Sequence, residues 1–455
     1  MSTLKSPLSH YKTFSLRPNE ASLSAPNLDP NKTIKNLIWL YFFLLLFEGA
    51  LRKWVLPALS NPLLVVRDPV AIWIIIKAMN RKMLPANNYL TAMIVVGAVG
   101  LVTAIFFGHG NVTVAIYGAR ILLLHFPLIF VIGNVFTRED VIKMGKIMLW
   151  IALPMTLLIA VQFYSPQSAW VNRGVGGNEA GAGFSGALGY FRPPATFSFT
   201  NGNTLFYSLL APFLLFFWLN TKHVSKLLLI AGTVCLLAAI PLSISRALFF
   251  QVAVCIAFTV IATVRKQEYI GKMLIAAFIV MIAFAFISNT QFYKTSTEAF
   301  TARFDGANKT EGGLVDGVIG NRYLGGIIRG FQNADKTPVF GYGIGLGTNL
   351  AVSIFGPSIN IPFNVEEEYS RLIGETGLFL GIITIICRLA LSLKVSFKAF
   401  KNLKTGDILP WLLVSILLTN VPWGQWAQPT ALGFAIIIGG ISIASFNQTT
   451  EKANI

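Results

Sequence analysis

The chain has little charge and little cysteine for its length. Only 12% of its 455 residues are charged, whereas 54% are hydrophobic, a composition that water-soluble enzymes of this length rarely have. The three cysteines, Cys235, Cys255 and Cys387, each lie inside an apolar run without CxxC or Cys/His spacing. This placement argues against a disulfide framework or a zinc site and predicts three buried structural thiols.

Motifs of nucleotide, metal and hydrolase chemistry are also missing. No Walker, HExxH or GxSxG motif occurs, although Gly183 to Gly186 comes near the last of these, and the alternating glycines from Gly341 to Gly347 do not match GxGxxG. We therefore expect neither a metal nor a cofactor. No repeat of about 20 to 50 residues is visible, which excludes a solenoid. We expect His125, about one and a half helical turns after Arg120, to be a packed or hydrogen-bonded core histidine.

Long apolar runs dominate the chain. Its mean hydropathy is +0.65, and a helix needs ~20 mostly apolar residues to cross a hydrocarbon core. About a dozen such runs occur, centred near residues 43, 71, 98, 124, 153, 211, 234, 255, 280, 381, 415 and 437. The sequence therefore predicts an all-α polytopic membrane protein with about 12 transmembrane helices in the lipid bilayer.

Basic residues cluster in every second loop. Those after the even-numbered runs are Lys77, Arg81, Lys82, Arg138, Lys143, Lys146, Lys222, Lys226, Arg265, Lys266, Lys272, Lys394, Lys398, Lys401 and Lys404. This positive-inside pattern places both termini in the cytoplasm. It also accounts for most of the net charge of +17 without a nucleic-acid partner.

The predicted organisation has three parts. Residues 1–33 form a cytoplasmic polar tail without the features of a cleavable signal peptide. Residues 34–446 form the transmembrane domain, and 447–455 a cytoplasmic C-terminal tail. Two long loops on the outer side, at about 165–201 and 289–365, carry aromatic residues, so we expect them to be folded caps.

Several arginines break the positive-inside pattern because they lie at the outer boundary or in the outer loops. They are Arg52, Arg67, Arg120, Arg173, Arg192, Arg246, Arg303, Arg322, Arg329 and Arg371, with Lys53 beside the first. Charge within a helix normally faces a bundle interior or a cavity, and arginine suits phosphate. The hypothesis is a site for a lipid-linked phosphate or pyrophosphate.

The alternative for these residues is structural. Arg67 would pair with its neighbour Asp68, and the other side chains would extend to lipid head groups. We favour the head-group role for Arg52 and Lys53, and the phosphate site for Arg120 and Arg246.

The stretch NVEEEYSRLIGETG, from Asn364, places three glutamates before an apolar run. Asn364 and Glu367 have the spacing of a capping box, which would explain one or two of the glutamates. Glu366, Glu367 and Glu368 are also candidates for a general base that deprotonates an acceptor hydroxyl. Arginines would then stabilise a departing pyrophosphate without a metal.

Further along, Glu368, Arg371 and Glu375 share one helical face. We expect Arg371 and Glu375 to be paired within a cavity, because unpaired charges at this depth are costly. Upstream, the glycines Gly341, Gly343, Gly345 and Gly347 alternate. We favour a tight structural turn for them; the alternative is that their amides face a sugar or a phosphate.

The order of these motifs resembles the O-antigen polymerase and ligase superfamily over about residues 34 to 446. The matching residues are Ser245, Arg246 and Ala247; Pro338, Gly341 and Gly343; Glu375 and Gly377; and the segment from Arg192 to Asn203. The resemblance implies a GT-C-like glycosyltransferase architecture in the bacterial inner membrane. It also implies an undecaprenyl-pyrophosphate-linked glycan as substrate, without nucleotide sugar or metal, and a flippase and a chain-length regulator as further partners.

The resemblance also implies residues that bind the pyrophosphate or the glycan. Taken together with the charge pattern, the candidates are Arg67, Arg120, Arg192, Arg246, Arg322, Arg329 and Arg371. Family ligases carry a histidine nine residues before the glutamate of the E-x-G motif, where this chain has Glu366. We therefore favour a polymerase for O-antigen, exopolysaccharide or capsule, with a ligase as the alternative. An alternative of another class is a flippase or transporter of lipid-linked sugar, which would carry ionisable residues near the bilayer midplane on broken helices.

Overall fold

The computed structural model describes residues 29–447, apart from 267, 312–324 and 333, and they are mostly helical. The helices are α1 (Lys32–Ala50), α2 (Arg67–Asn80), α3 (Asn88–Phe106), α4 (Val112–Arg120), α5 (Phe126–Val135), α6 (Arg138–Tyr164), α7 (Thr200–Leu219), α8 (Lys226–Leu242), α9 (Arg246–Arg265), α10 (Glu268–Ser288), α11 (Gln291–Glu311), α12 (Gly325–Gln332), α13 (Asn349–Phe355), α14 (Glu368–Asn402), α15 (Leu409–Asn420) and α16 (Pro429–Ala444). Strands β1 (Phe184–Ala187) and β2 (Tyr190–Arg192) pair antiparallel. Arg322 and most of both predicted tails lie outside the described residues.

Each predicted apolar run lies in a helical segment. Eight of the described segments are long and apolar enough to cross a membrane: Lys32–Val55, Asn88–Phe106, Val112–Val135, Arg138–Tyr164, Thr200–Leu219, Arg246–Arg265, Glu268–Ser288 and Glu368–Thr405. Helices α8, α15 and α16 are apolar but shorter, and α2 has 14 residues. The chain is therefore mostly helical with eight candidate membrane-spanning segments among the described residues, as a polytopic membrane protein would have, and the number of 12 spans stays a prediction.

The helices differ in how much of their surface the bundle covers. Helix α7 is almost entirely buried, whereas α10 is an apolar helix with little buried surface. Its residues Phe278, Met281 and Phe286 are 58%, 60% and 78% exposed. So much exposed apolar surface on one long helix fits contact with lipid rather than water.

Two helical segments contain π turns where charged or ionisable residues lie. Leu51–Val55 extends α1 and carries Arg52 and Lys53, and Ile121–His125 joins α4 to α5. A π turn shifts the side chains that follow it and often occurs at functional sites. The first turn carries Arg52 and Lys53, which bond to neighbouring segments, and the second carries His125, which does the same.

Both predicted outer loops contain regular structure. The first holds the β1–β2 hairpin, and its Trp170 stacks on Trp54 at the end of α1, with ring centroids 5.7 Å apart. The second holds α11, α12 and α13. Phe304 of α11 packs on Phe249 and Phe250 of α9, with centroids 6.2 and 5.9 Å apart. Aromatic contacts thus attach both segments to the helical bundle.

Helix α14 is two helices joined by a sharp reversal at Gly377. Glu368 and Arg388 form an ion pair although they are 20 residues apart, whereas a straight helix would separate them by about 30 Å. Ile373 likewise packs against Ile385. Gly377 breaks the helix with φ 80° and ψ 167°, so residues 368–376 fold back along residues 378–402 as a hairpin.

The membrane orientation of this hairpin can be tested with two matched Ser/Thr-to-Cys variants. Ser358→Cys lies before the hairpin, on the predicted outer side, and Thr405→Cys lies after it. The native cysteines Cys235, Cys255 and Cys387 are 7%, 0% and 9% exposed, so the background should be low. A membrane-impermeant maleimide should label the first variant in intact spheroplasts and the second only after permeabilisation; equal labelling of both would show that residues 378–402 do not cross.

Candidate functional site

Buried charges join the end of α1 to the start of α2. Arg67 donates from Nε to Glu48 Oε2 at 3.1 Å and from Nη2 to the Pro429 carbonyl at 2.6 Å. Glu48 and Arg67 are 4% and 3% exposed. The predicted pairing of Arg67 with Asp68 is wrong, because consecutive residues on a helix do not face each other.

Asp68 instead pairs with residues of the α4–α5 segment. Arg120 Nη1 donates to both Asp68 carboxylate oxygens, at 2.6 and 2.8 Å. His125 Nε2 lies 3.0 Å from Asp68 Oδ1, and its Nδ1 lies 3.0 Å from Tyr41 Oη. This confirms the prediction of a hydrogen-bonded core histidine. The Arg120 guanidinium is therefore already paired with Asp68 before any ligand binds.

Arg52 and Lys53 do not extend to head groups, so that prediction is wrong. Arg52 donates to the Ser60 carbonyl at 2.7 Å and to Ser198 Oγ at 3.0 Å. Lys53, which is 1% exposed, donates to the Ala195 carbonyl at 2.5 Å. The segment before α7 folds over the end of α1 and covers both side chains, so protein oxygens take the place of head groups.

A second group of buried charges lies inside the α14 hairpin. Arg371 pairs with Glu368 at 2.8 Å and with Glu375 at 2.6 Å, and Arg388 pairs with Glu368. The four residues are between 0% and 6% exposed. The pairing of Arg371 with Glu375 confirms the prediction. Two arginines face two carboxylates, so the group is formally neutral and its burial is compensated by pairing.

The alternating glycines pack against the reversal in α14. The Gly343 amide donates to the Glu375 carbonyl at 3.0 Å, and the Gly347 amide donates to Glu375 Oε1 at 2.8 Å. Gly341, Gly343 and Gly345 have φ of 70°, 110° and 95°, which favour glycine. This confirms a tight structural turn, and these two amides bind protein rather than facing a ligand.

The three candidate glutamates have different surroundings. Glu366 is exposed, and within the described part of the chain no hydrogen bond or ion pair holds its carboxylate. Glu367 accepts a hydrogen bond from Arg329 Nε at 2.7 Å. Both oxygens of Glu368 accept hydrogen bonds from Arg371, and one of them also from Arg388. Only Glu366 is thus left accessible without a charged partner.

The predicted capping box at this helix start is wrong. Helix α14 begins at Glu368, and its N-cap, Glu367, makes no side-chain capping bond. The Asn364 side chain instead accepts a hydrogen bond from the Glu366 amide at 3.0 Å. An asparagine side chain often accepts a hydrogen bond from the backbone amide two residues later and so forms a local turn. Here that turn lies before the first residue of the helix.

Residues 421–428, which we call the α15–α16 connection, contact the charge group inside the α14 hairpin and lead to Pro429, which contacts the other group. Arg388 donates to the carbonyls of Val421 and Gly424, each at 2.8 Å. Its guanidinium lies 3.9 Å from the centroid of the Trp426 ring. That ring lies 6.2 Å from the ring of Phe126, next to His125. The connection is followed by Pro429, the first residue of α16, whose carbonyl accepts the Arg67 hydrogen bond described above.

Arg388 and the connection were not predicted from the sequence as parts of a site. Arg388 lies within an apolar run, so the rule that selected Arg120 would also have selected it. The connection has the sequence VPWGQWAQ. Two tryptophans and two glutamines between apolar runs indicate a binding site less strongly than an arginine inside an apolar run does. Its contacts join residues far apart in the chain, which hydrophobic periodicity does not report.

The arginines predicted to bind pyrophosphate or glycan lie in separate parts of the fold. Arg329 and Arg371 lie with the glutamates, and Arg67 and Arg120 lie with Glu48 and Asp68. Arg192 is on β2, 6.0 Å from the Phe184 ring. Arg246 begins α9, is 9% exposed and follows the N-cap Ser245, whose hydroxyl accepts from Thr204 of α7 at 3.0 Å. Among the described residues of this set, Arg329 and Arg371 contact a candidate glutamate directly, and a common site for all of them stays a prediction.

Among the described residues, no three or more His, Cys, Asp or Glu residues form a group that could hold a metal ion. No protein-family model matches the chain, and no curated protein matches it either. The family resemblance therefore stays a prediction.

Removing Arg388 should destabilise the protein strongly. In Arg388→Met, Glu368 loses one of its two partners and two backbone carbonyls lose their donor, so the free energy of unfolding should fall by about 3–5 kcal/mol. Arg265→Met is the control, because Arg265 is exposed and lies over the Phe400 ring; its effect should stay within about 0.5 kcal/mol. Denaturant unfolding in detergent measures both, and equal losses would contradict the role of Arg388.

The helix reversal should require glycine at 377. Its backbone conformation is essentially restricted to glycine, and a Cβ there would collide with the Val339 carbonyl. Gly377→Ala should lower the free energy of unfolding by at least about 1–3 kcal/mol. Gly271→Ala in α10 meets no atom within 4 Å and should be neutral or stabilising, by up to about 1 kcal/mol. A thermal-unfolding scan of the two variants makes the comparison, and a tolerated Gly377→Ala would argue against the hairpin.

Proposed function

We propose that the chain is a polysaccharide polymerase of the O-antigen polymerase and ligase superfamily, with about 12 spans in a GT-C-like architecture. It would join undecaprenyl-pyrophosphate-linked repeat units at the periplasmic face of the bacterial inner membrane. The observation that carries the proposal is the exposed Glu366 carboxylate, without a charged partner among the described residues, next to the Arg329–Glu367 pair. An available carboxylate beside arginine is what metal-independent transfer from a lipid pyrophosphate requires.

The proposed step is a single displacement. Glu366 accepts the proton of an acceptor sugar hydroxyl, whose oxygen forms a bond to the anomeric carbon of the donor glycan. The bond from that carbon to the pyrophosphate oxygen breaks, and its electron pair leaves with undecaprenyl pyrophosphate. Arg329, 44% exposed in its side chain, and Arg246 are the proposed partners of that leaving group.

The buried charges have supporting roles in this scheme. Glu368 is held by two arginines, which suits a positioning residue better than a base that must take up a proton. Around α1 and α2, the guanidinium groups of Arg52, Arg67 and Arg120 face the carboxylates of Glu48 and Asp68. This group therefore carries one excess positive charge, which favours an anionic ligand nearby.

One observation favours the transporter as a second candidate. The α14 hairpin is a broken helix with a buried ion pair inside an apolar segment, and substrate-coupled transporters use such elements. A transporter would move lipid-linked sugar across a vesicle membrane without changing its covalent structure. Product analysis thus separates the two functions.

The test is chain extension by purified protein in lipid nanodiscs, with lipid-linked repeat unit extracted from the source cells. Wild type should give a ladder on a gel. Glu366→Gln should slow its formation by about a hundredfold to ten-thousandfold, and Arg246→Ala should also reduce it. Glu179→Gln is the matched control, because Glu179 is an exposed glutamate of the other outer loop that pairs with Arg173, and its ladder should match wild type.

Other results would change the assignment. Transfer only when an acceptor lipid is added would identify a ligase. No product in either assay, together with movement of the lipid-linked sugar across vesicles, would identify a transporter. A full ladder from Glu366→Gln would exclude Glu366 as the base.

A further inference from the structure

We infer that the α15–α16 connection, together with Asn201 of α7, forms a subsite for the hydroxyl groups of the acceptor sugar. The inference rests on the proposed function, because it places the sugar next to Glu366. Asn201 lies in the segment from Arg192 to Asn203 that carries the family resemblance, whereas the residues of the connection are selected neither by the family motifs nor by the charge pattern.

Three amide side chains make a continuous path from Glu366 to α7. Gln425 Nε2 donates to the Glu366 carbonyl, and Gln428 Nε2 donates to Gln425 Oε1 at 2.8 Å. Asn201 Nδ2 lies 3.5 Å from Gln428 Oε1. All three side chains are partly exposed. Each amide has two donor hydrogens and an acceptor oxygen with two lone pairs, so these contacts leave hydrogen-bonding capacity for sugar hydroxyls.

An aromatic surface borders this path. Trp423, partly exposed, stacks on Tyr369 with ring centroids 4.8 Å apart. Sugars present both a C–H face, which packs on aromatic rings, and hydroxyl groups, which bind amides. In a mostly apolar bundle, amides beside tryptophan therefore match the chemistry of a glycan better than that of a lipid tail.

Among the described residues, one buried polar atom in the connection and one on its neighbour Tyr369 lack a hydrogen-bond partner. Tyr369 Oη and Trp426 Nε1 make no hydrogen bond within the described part of the chain, and their residues are 3% and 1% exposed. Burying such groups without a partner is costly. A hydroxyl or a water that reached either atom after a small movement of the neighbouring side chains would compensate that cost.

The location fits the acceptor rather than the donor half of the substrate. A general base must come within hydrogen-bond reach of the proton that it removes, and Gln425 is bonded to the backbone of Glu366 itself. Arg388 holds the connection by two of its carbonyls. A hydroxyl bound by Gln425 and Gln428 would therefore lie beside the base on a fixed part of the fold, whereas the pyrophosphate belongs with arginine.

The experiment separates sugar binding from pyrophosphate binding. The first probe is the repeat-unit oligosaccharide released from its lipid, which has the hydroxyls without the pyrophosphate. The second is undecaprenyl pyrophosphate without sugar. Binding of each to the full chain in nanodiscs is measured for wild type, for Asn201→Ala/Gln428→Ala and for Asn220→Ala. Asn220, at the opposite end of α7, is the matched control, and thermal unfolding checks that every variant is folded.

The double variant should weaken oligosaccharide binding by about tenfold to thirtyfold, the loss expected for two hydrogen bonds. It should change undecaprenyl pyrophosphate binding by less than about twofold, and the control should leave both unchanged. A folded double variant that binds the oligosaccharide like wild type would overturn the subsite, and so would equal weakening of both probes. If wild type binds neither probe and makes no ladder, the proposed function itself fails, which is a distinguishable result.

Discussion

The ion pair between Arg388 and Glu368 is the interaction on which the candidate site depends. It joins the two arms of the α14 hairpin, and the remaining donors of Arg388 hold two carbonyls of the α15–α16 connection. Taking both charges out of water is costly, and pairing with good hydrogen-bond geometry offsets that cost. One side chain thereby fixes the backbone that carries Glu366 and the backbone that carries the two glutamines.

The connection also relates the two charge groups to each other. At one end it contacts Arg388, and at the other it is followed by Pro429 of α16, whose carbonyl Arg67 binds. The neutral group inside the hairpin orders the segment that carries Glu366. The group around Glu48 and Asp68 keeps an excess of positive charge. Under the proposed function, structural pairing and anion attraction thus belong to different residues, although the connection and Pro429 link the two groups.

The sequence predicted the helices well, but it predicted only some of the contacts between their side chains. Apolar runs located the helices, and i, i+4 spacing predicted the contact of Arg371 with Glu375, because both depend on local geometry. The partners of Arg67 and Lys53 were not predicted. Glu48 and Ala195 are distant from them in the sequence, so only the fold brings them into contact. The start of α14 was misplaced because Asn364 closes its own turn. Gly377 was recognised as a motif residue, but nothing in its spacing indicated a reversal of direction.

The hairpin also bears on how this part of the chain enters the bilayer during synthesis. An arginine near the centre of an apolar segment opposes insertion by about 2.5–3.5 kcal/mol. Residues 378–402 would therefore insert poorly alone, whereas residues 368–376 precede them and bring Glu368 as a counter-ion. Since the ion pair lies within the hairpin, both arms can enter the bilayer together as one neutralised unit, without a counter-ion from α15 or α16.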